Sequence, residues 1–383
     1  MDASSVLTLF RGAVRDLRVR SRGNVPALDV LRSLAILLVF SAHYSFEFQA
    51  VPWVQALPVF DRGWVGVDLF FVLSGYLIGR QLWKEAKRSG SIQVGRFLLR
   101  RGLRIWPLYY SLVALLAVEG LFGRNVSGLW ADACFLSNEF HNRVGGGWSL
   151  SSEEQFYILA PVTMAFLARW FKPRHLWVLP VGGLIVLLID RRIVIQMEAH
   201  VDNPLSHLFV PLHTHADGLA IGGLLAWVAV FHPEIIRSKR LRLLICAAMV
   251  VVGVGLYNVR RPLFSLTSLA LIFGAATLFG VGLERTPKLL DWWGFYLISR
   301  LSFGMYLNQF GLLEHLGRLW LVARVEGGEP AFWAFYPLCV LASMAVAFVT
   351  FQLIEWPFLQ IRARWLGSKQ QPQPQFAPEA SSA

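Results

Sequence analysis

Arg32 and His43 stand eleven residues apart in the first apolar stretch of the 383-residue sequence. At about 100° and 1.5 Å per residue, a helix places them within roughly 20° of one face and about 16 Å apart along its axis. An imidazole held deep in an apolar run, on the face of an arginine, suits a proton acceptor set well away from a charged anchor. The same two residues would also be satisfied as an interfacial arginine that snorkels and a histidine bonded to a neighbouring helix. Asp68 lies near the start of the second apolar run, where it either faces a partner or a wet cavity, or caps a helix. Arg101 and Arg104 are three residues apart, so on a helix both guanidiniums project to one side, as a phosphate-rich ligand needs; ordinary positive-inside charge gives the same pattern. Glu153 and Glu154 diverge by about 100°, so only one can face a given site. Glu153 shares its face with Phe156 and Tyr157 and is expected to point inward, leaving Glu154 solvated or structural. His213, His215 and Asp217 alternate, which splays them on a helix and lacks the one-turn histidine spacing of zinc sites. Hydrogen bonding to an acceptor, or helix packing, is expected of them, and no metal.

The elements that must position these residues are membrane helices. Apolar residues make up 55% of the chain and charged ones 16%, with a mean hydropathy of +0.51. Stretches of about 20 apolar residues recur, long enough to cross a bilayer core, and they are continuous rather than alternating, which excludes barrel strands. The expected fold is all-α and polytopic, about ten spans over residues 28–48, 64–82, 105–122, 148–168, 176–189, 207–231, 243–257, 263–283, 295–322 and 332–356. Lys and Arg concentrate in alternate loops, which places both termini in the cytoplasm. The formal charge of +12 is thereby a topology signal, aided by anionic lipid, and requires no nucleic acid. The polar, Arg-rich start is not expected to act as a secretory signal. Cys134, Cys246 and Cys339 form no metal or disulfide spacing. Three regions are expected: a basic cytoplasmic segment at 1–27, a membrane domain at 28–360, and a Pro/Gln-rich disordered cytoplasmic tail at 361–383.

The separated motifs resemble the acyltransferase-3 family of integral-membrane O-acyltransferases. They are Arg32 with His43, the run Gly66-Val67-Asp68-Leu69-Phe70-Phe71-Val72-Leu73-Ser74-Gly75, Arg101-x-x-Arg104, Trp148-Ser149-Leu150 with Glu153-Glu154-Gln155-Phe156-Tyr157, Ser302-Phe303-Gly304-Met305-Tyr306-Leu307, and Ile354-Glu355-Trp356-Pro357-Phe358. The resemblance implies transfer of an acyl group, often acetyl, from cytoplasmic acyl-coenzyme A to a hydroxyl of an extracytoplasmic glycan or lipid-linked sugar. It implies an integral protein of the bacterial inner (plasma) membrane, with acyl-coenzyme A as substrate and no bound cofactor. On that pattern His43 is the catalytic base, while Arg32, Arg101 and Arg104 hold the donor. Trp148, Tyr157, His213, His215 and Gln309 are expected on the acceptor side. One departure stands out: where the family commonly has Trp-His after Tyr-Leu, this chain has Asn308-Gln309, and a glutamine can hydrogen-bond but cannot titrate.

In the expected chemistry the donor docks its charged end on the arginines and threads its thioester toward His43, with Glu153 or Asp68 orienting the ring. Direct transfer and a route through acyl-His43 both fit. A serine nucleophile has no Gly-x-Ser-x-Gly elbow to support it. Two other readings stand beside this one: a transporter or flippase whose path the buried charges line, and a catalytically inactive family member.

Overall fold

The computed structural model describes residues 3–20, 24–47, 57–197, 205–259, 261–283 and 287–366. Among them every regular element is helical. The long helices are α1 (Ala3–Arg18), α2 (Pro26–Glu47), α3 (Gly66–Ser89), α4 (Val94–Leu121), α5 (Gly147–Leu167), α6 (Val178–Met197), α7 (Asp217–Phe231), α8 (Lys239–Asn258), α9 (Arg261–Val281), α10 (Trp293–Thr350) and α11 (Trp356–Trp365). A π-helical turn, Phe351–Glu355, joins the last two. Five stretches among the described residues are long and apolar enough to cross a membrane: Pro26–Phe46, Gly63–Ser89, Lys239–Asn258, Leu263–Val281 and Phe335–Trp365. Helices α4, α5 and α6 are also long, but each carries charged residues within its length, such as Arg101 and Arg104, Glu153 and Glu154, or Asp190 and Arg191.

The most extensive helix packing is that of α3 on α7, and glycine makes it possible. A Cβ on Gly75 of α3 would come within 2.3 Å of the Leu219 carbonyl oxygen, and one on Gly222 of α7 within 2.2 Å of the Val72 carbonyl oxygen. The two backbones therefore touch, the arrangement that small residues allow where lipid removes the hydrophobic drive between helices.

Several expected boundaries move. α4 begins at Val94, so Arg101 and Arg104 both lie inside it. The stretch expected to start at residue 207 becomes a short helix, Leu205–Phe209, then turns, then α7 from Asp217. The ninth and tenth expected spans belong to one assigned helix, α10, which reverses on itself. Asn308 donates to the Ser343 carbonyl at 3.0 Å, and a Cβ on Gly304 would lie 3.0 Å from that of Ala347. A straight helix would hold residues 35 apart by about 50 Å, so the two arms run antiparallel and the expected hairpin is retained. The basic N-terminal segment forms α1, with Ala13 and Leu17 buried. At the other end α11 continues to Trp365, so residues 361–365 are helical; the rest of the expected tail, 367–383, lies outside the described residues. All three cysteines are free thiols.

Candidate functional site

A cleft runs between α2, α3, α4, α5, α10 and the π turn. On α3 its wall extends from Val67 to Ile78, about 16 Å at helical rise. Its room for water-sized molecules is only about 120 Å³, which suits a slender chain and not a bulky ring system. At one end stand Arg32, Arg101, Arg104 and Arg300; at the other, Ser149 and Tyr306.

The arginine end is built by helix periodicity. Arg101 and Arg104, one turn apart on α4, face Arg32 on α2 and Arg300 on α10, and Arg104 has Arg32, Arg101, Arg300 and Arg362 as electrostatic neighbours. Among the described residues Arg32, Arg101 and Arg104 make no hydrogen bond or ion pair. Arg101 lies over the Tyr157 ring, 5.5 Å from its centroid. Arg300 is held by an ion pair to Asp16 of α1. Two carboxylates share the cleft. Glu153 accepts from the Ser74 hydroxyl at 2.7 Å and the Tyr157 hydroxyl at 2.6 Å, so one turn of α5 and one hydroxyl of α3 fix it. Glu355, closing the π turn, is buried and faces Arg104 and Arg300 electrostatically. Arg300 has Asp16 as its ion-pair partner, whereas Arg32, Arg101 and Arg104 have carboxylates only as electrostatic neighbours, an arrangement that leaves their donors open to phosphates or pyrophosphate.

His43 is not on the cleft wall. Its ring packs against Phe310 with centroids 4.2 Å apart, and the Gln309 amide lies beside it. Its Nδ1 and the Gln309 Oε1 are both buried without a hydrogen-bond partner. Tyr306, which does line the cleft, sits one turn before Phe310 on α10. Its hydroxyl bonds Ser149 at 2.5 Å and the Gly146 carbonyl at 2.9 Å. A Cβ on Gly145 would strike the Phe310 ring at 2.3 Å, so the loop before α5 presses directly on the ring that covers His43. The turn Tyr306–Phe310 thus adjoins both the cleft and His43.

The other expected site residues go elsewhere. Asp68 is bonded to His215, Oδ1 to Nε2 at 2.8 Å, and each side chain is only 1% exposed. The other His215 nitrogen bonds the Phe209 carbonyl at 2.6 Å, so both ring nitrogens are engaged in helix packing. Neither Asp68 nor Glu153 hydrogen-bonds His43. Trp148 packs among Phe71, Phe209 and His215. Tyr157 belongs to the arginine end, beside Arg101. His213 is half-exposed and bonds Asp190 at 2.5 Å, with Glu139 3.9 Å away. Glu154 is 4% exposed and accepts from Trp106 Nε1 at 3.1 Å; it is structural, and not solvated. Among the described residues no group of three His, Cys, Asp or Glu side chains is placed to hold a metal ion. Sequence reasoning missed Arg300, Ser74, Tyr306 and Glu355 as wall residues. The last three sit inside stretches already singled out as motifs, while Arg300 reads as an ordinary charge two residues before one.

A helical integral membrane protein with a buried, cation-rich cleft is the class that these features define. The chain belongs to the acyltransferase-3 family, whose acyltransferase domain it matches over residues 25–352. It is 26% identical to the peptidoglycan O-acetyltransferase OatA of Listeria monocytogenes over 370 residues, 88% of this chain and 56% of that protein. It is 25% identical to the O-acetyltransferase OatA of Staphylococcus aureus over 369 residues, 87% of this chain and 57% of the relative. The chain thus spans a little over half the length of these relatives. No solved structure matches it.

Proposed function

We propose that the protein is an O-acyltransferase that moves an acyl group, acetyl by likeness to its relatives, from acyl-coenzyme A to a hydroxyl of an extracytoplasmic glycan or lipid-linked sugar. The observation that carries this reading is the cleft: three unpaired arginines at one end, a slender passage, and His43 just past the other end. With ten spans and both termini in the cytoplasm, the arginine end opens toward the donor's compartment and His43 lies toward the acceptor's. The donor's phosphates take the place of the missing carboxylates beside Arg32, Arg101 and Arg104, and its thioester arm runs along the α3 wall. Neutral His43 then takes the proton of the acceptor hydroxyl as that oxygen attacks the thioester carbonyl. The carbon–sulfur bond breaks, and the proton leaves with the thiolate as free coenzyme A. An acyl-His43 intermediate is a variant of the same path. Glu153 serves the donor end, since its two oxygens are committed to Ser74 and Tyr157. On this reading the turn Tyr306–Phe310 is the partition that the acyl group passes.

Purified protein given labelled acyl-coenzyme A and a panel of glycans tests it. Acceptor-dependent release of coenzyme A is expected, and His43→Ala should lower it by at least a hundredfold while thermal unfolding shows the variant folded. Turnover retained by folded His43→Ala removes His43 from the mechanism. Movement of glycan across a vesicle membrane without coenzyme A release would favour a flippase instead.

A further inference from the structure

A second groove, separate from the cleft and independent of its chemistry, lies between α1 and the second arm of α10, with room of about 540 Å³. Arg11, Arg15 and Arg18 line it from α1; Phe348 and Gln352 close it from α10 and the π turn. The three arginines are spaced four and three residues apart, so they fall within an arc of about 60° on one helix face. All three are exposed, and among the described residues none makes a hydrogen bond or ion pair. The opposite face of α1 is committed to the protein: Ala13 and Leu17 are buried, Asp16 is paired with Arg300, and Trp356 covers Gly12. The helix is therefore held in place with three free cations turned outward.

What they face decides the ligand. Phe348 belongs to Phe335–Trp365, an apolar stretch long enough to cross a membrane. Val14 and Val19 of α1 complete the apolar lining beside Phe348, and Val349, one turn before Gln352 on the same stretch, is 52% exposed. Three cations beside an apolar wall match a molecule with an anionic head and hydrocarbon tails. A soluble anion would leave the wall unused, and a neutral lipid would leave the arginines unpaired. We propose that this groove binds the phosphate headgroup of an anionic phospholipid, with an acyl chain lying against Val14, Val19 and Phe348 and on toward the exposed Val349.

The test is titration of the purified full chain, in neutral detergent, with fluorescent phosphatidylglycerol and with phosphatidylcholine carrying the same label. Tighter binding of phosphatidylglycerol is expected. At about fivefold per arginine, R11Q/R15Q/R18Q should weaken it on the order of a hundredfold and leave phosphatidylcholine unaffected. The single variant R15Q, expected to lose about fivefold, keeps the test open if the triple variant does not fold. Equal binding of the two lipids, or phosphatidylglycerol binding unchanged in folded variants, overturns the proposal. Displacement of the lipid by millimolar inorganic phosphate or by coenzyme A also overturns it, since the groove would then be a site for soluble anions.

Discussion

Two buried polar regions differ in how completely their charges are answered. Around Arg191, on α6, every demand is met: the guanidinium donates to the Thr214 carbonyl at 2.9 and 2.6 Å, to the Leu263 carbonyl at 2.7 Å, and to the Asp217 carboxylate. Asp217 is bonded in turn by Thr267. The Arg191 side chain is 0% exposed. In the cleft, Arg32, Arg101 and Arg104 have no such partners and border open volume. A buried cation with a full set of acceptors holds helices together; one without them is costly unless a ligand completes it. The first region is architecture; in the second the guanidiniums stand without acceptors beside open volume.

The sharpest way to break that comparison is to remove one arginine from each region. Arg191→Ala strands a buried carboxylate and should cost about 3–5 kcal/mol, seen as a large fall in the thermal unfolding midpoint. Arg101→Ala leaves no partner orphaned, relieves repulsion from its neighbours, and should stay within about 1 kcal/mol of the parent protein. Equal losses in the two variants would erase the distinction. Donor affinity sharpens it: Arg104→Ala should weaken coenzyme A binding by roughly 10- to 100-fold, the worth of one charge-assisted contact, whereas folded variants around Arg191 should bind normally. Titration calorimetry reads both. A smaller effect is expected at Ser74→Ala, which takes one of two hydrogen bonds from Glu153: about 1 kcal/mol in stability, with Tyr157 still holding the other oxygen. The smallest is Gln309→His, which returns a titratable ring to the side of His43. Turnover should change by less than about tenfold, but its pH profile should gain a second ionisation; an unchanged profile would show that residue 309 does not sense the reacting proton.

Much of this arrangement is legible in the sequence, for a definite reason. Continuous apolar runs announce membrane helices without any knowledge of their neighbours, and periodicity alone puts Arg101 and Arg104 on one face. Partnership across helices is another matter. Asp68 and His215 are 147 residues apart and meet through the glycine-mediated contact of α3 with α7, so an aspartate expected near a catalytic histidine is claimed by a different one. Arg191 sits between Asp190 and Arg192 at the end of an apolar run, where charge usually marks a loop, and its burial depends on α7 and α9 closing over it. The placement of Glu355 depends on the π turn, whose extra residue has no periodic signature in sequence. Periodic features of single helices could be anticipated, and the pairing of helices could not.

The ion pair between Asp16 and Arg300 gives the first two dozen residues a significance that the family boundary hides. A protein trimmed to begin at residue 25, where the domain match starts, would keep every recognisable motif and yet strip Arg300 of its counter-ion. The arginine end would then hold a fourth guanidinium without an ion pair, and affinities measured on such a shortened protein would describe a more cationic pocket than the one this chain possesses.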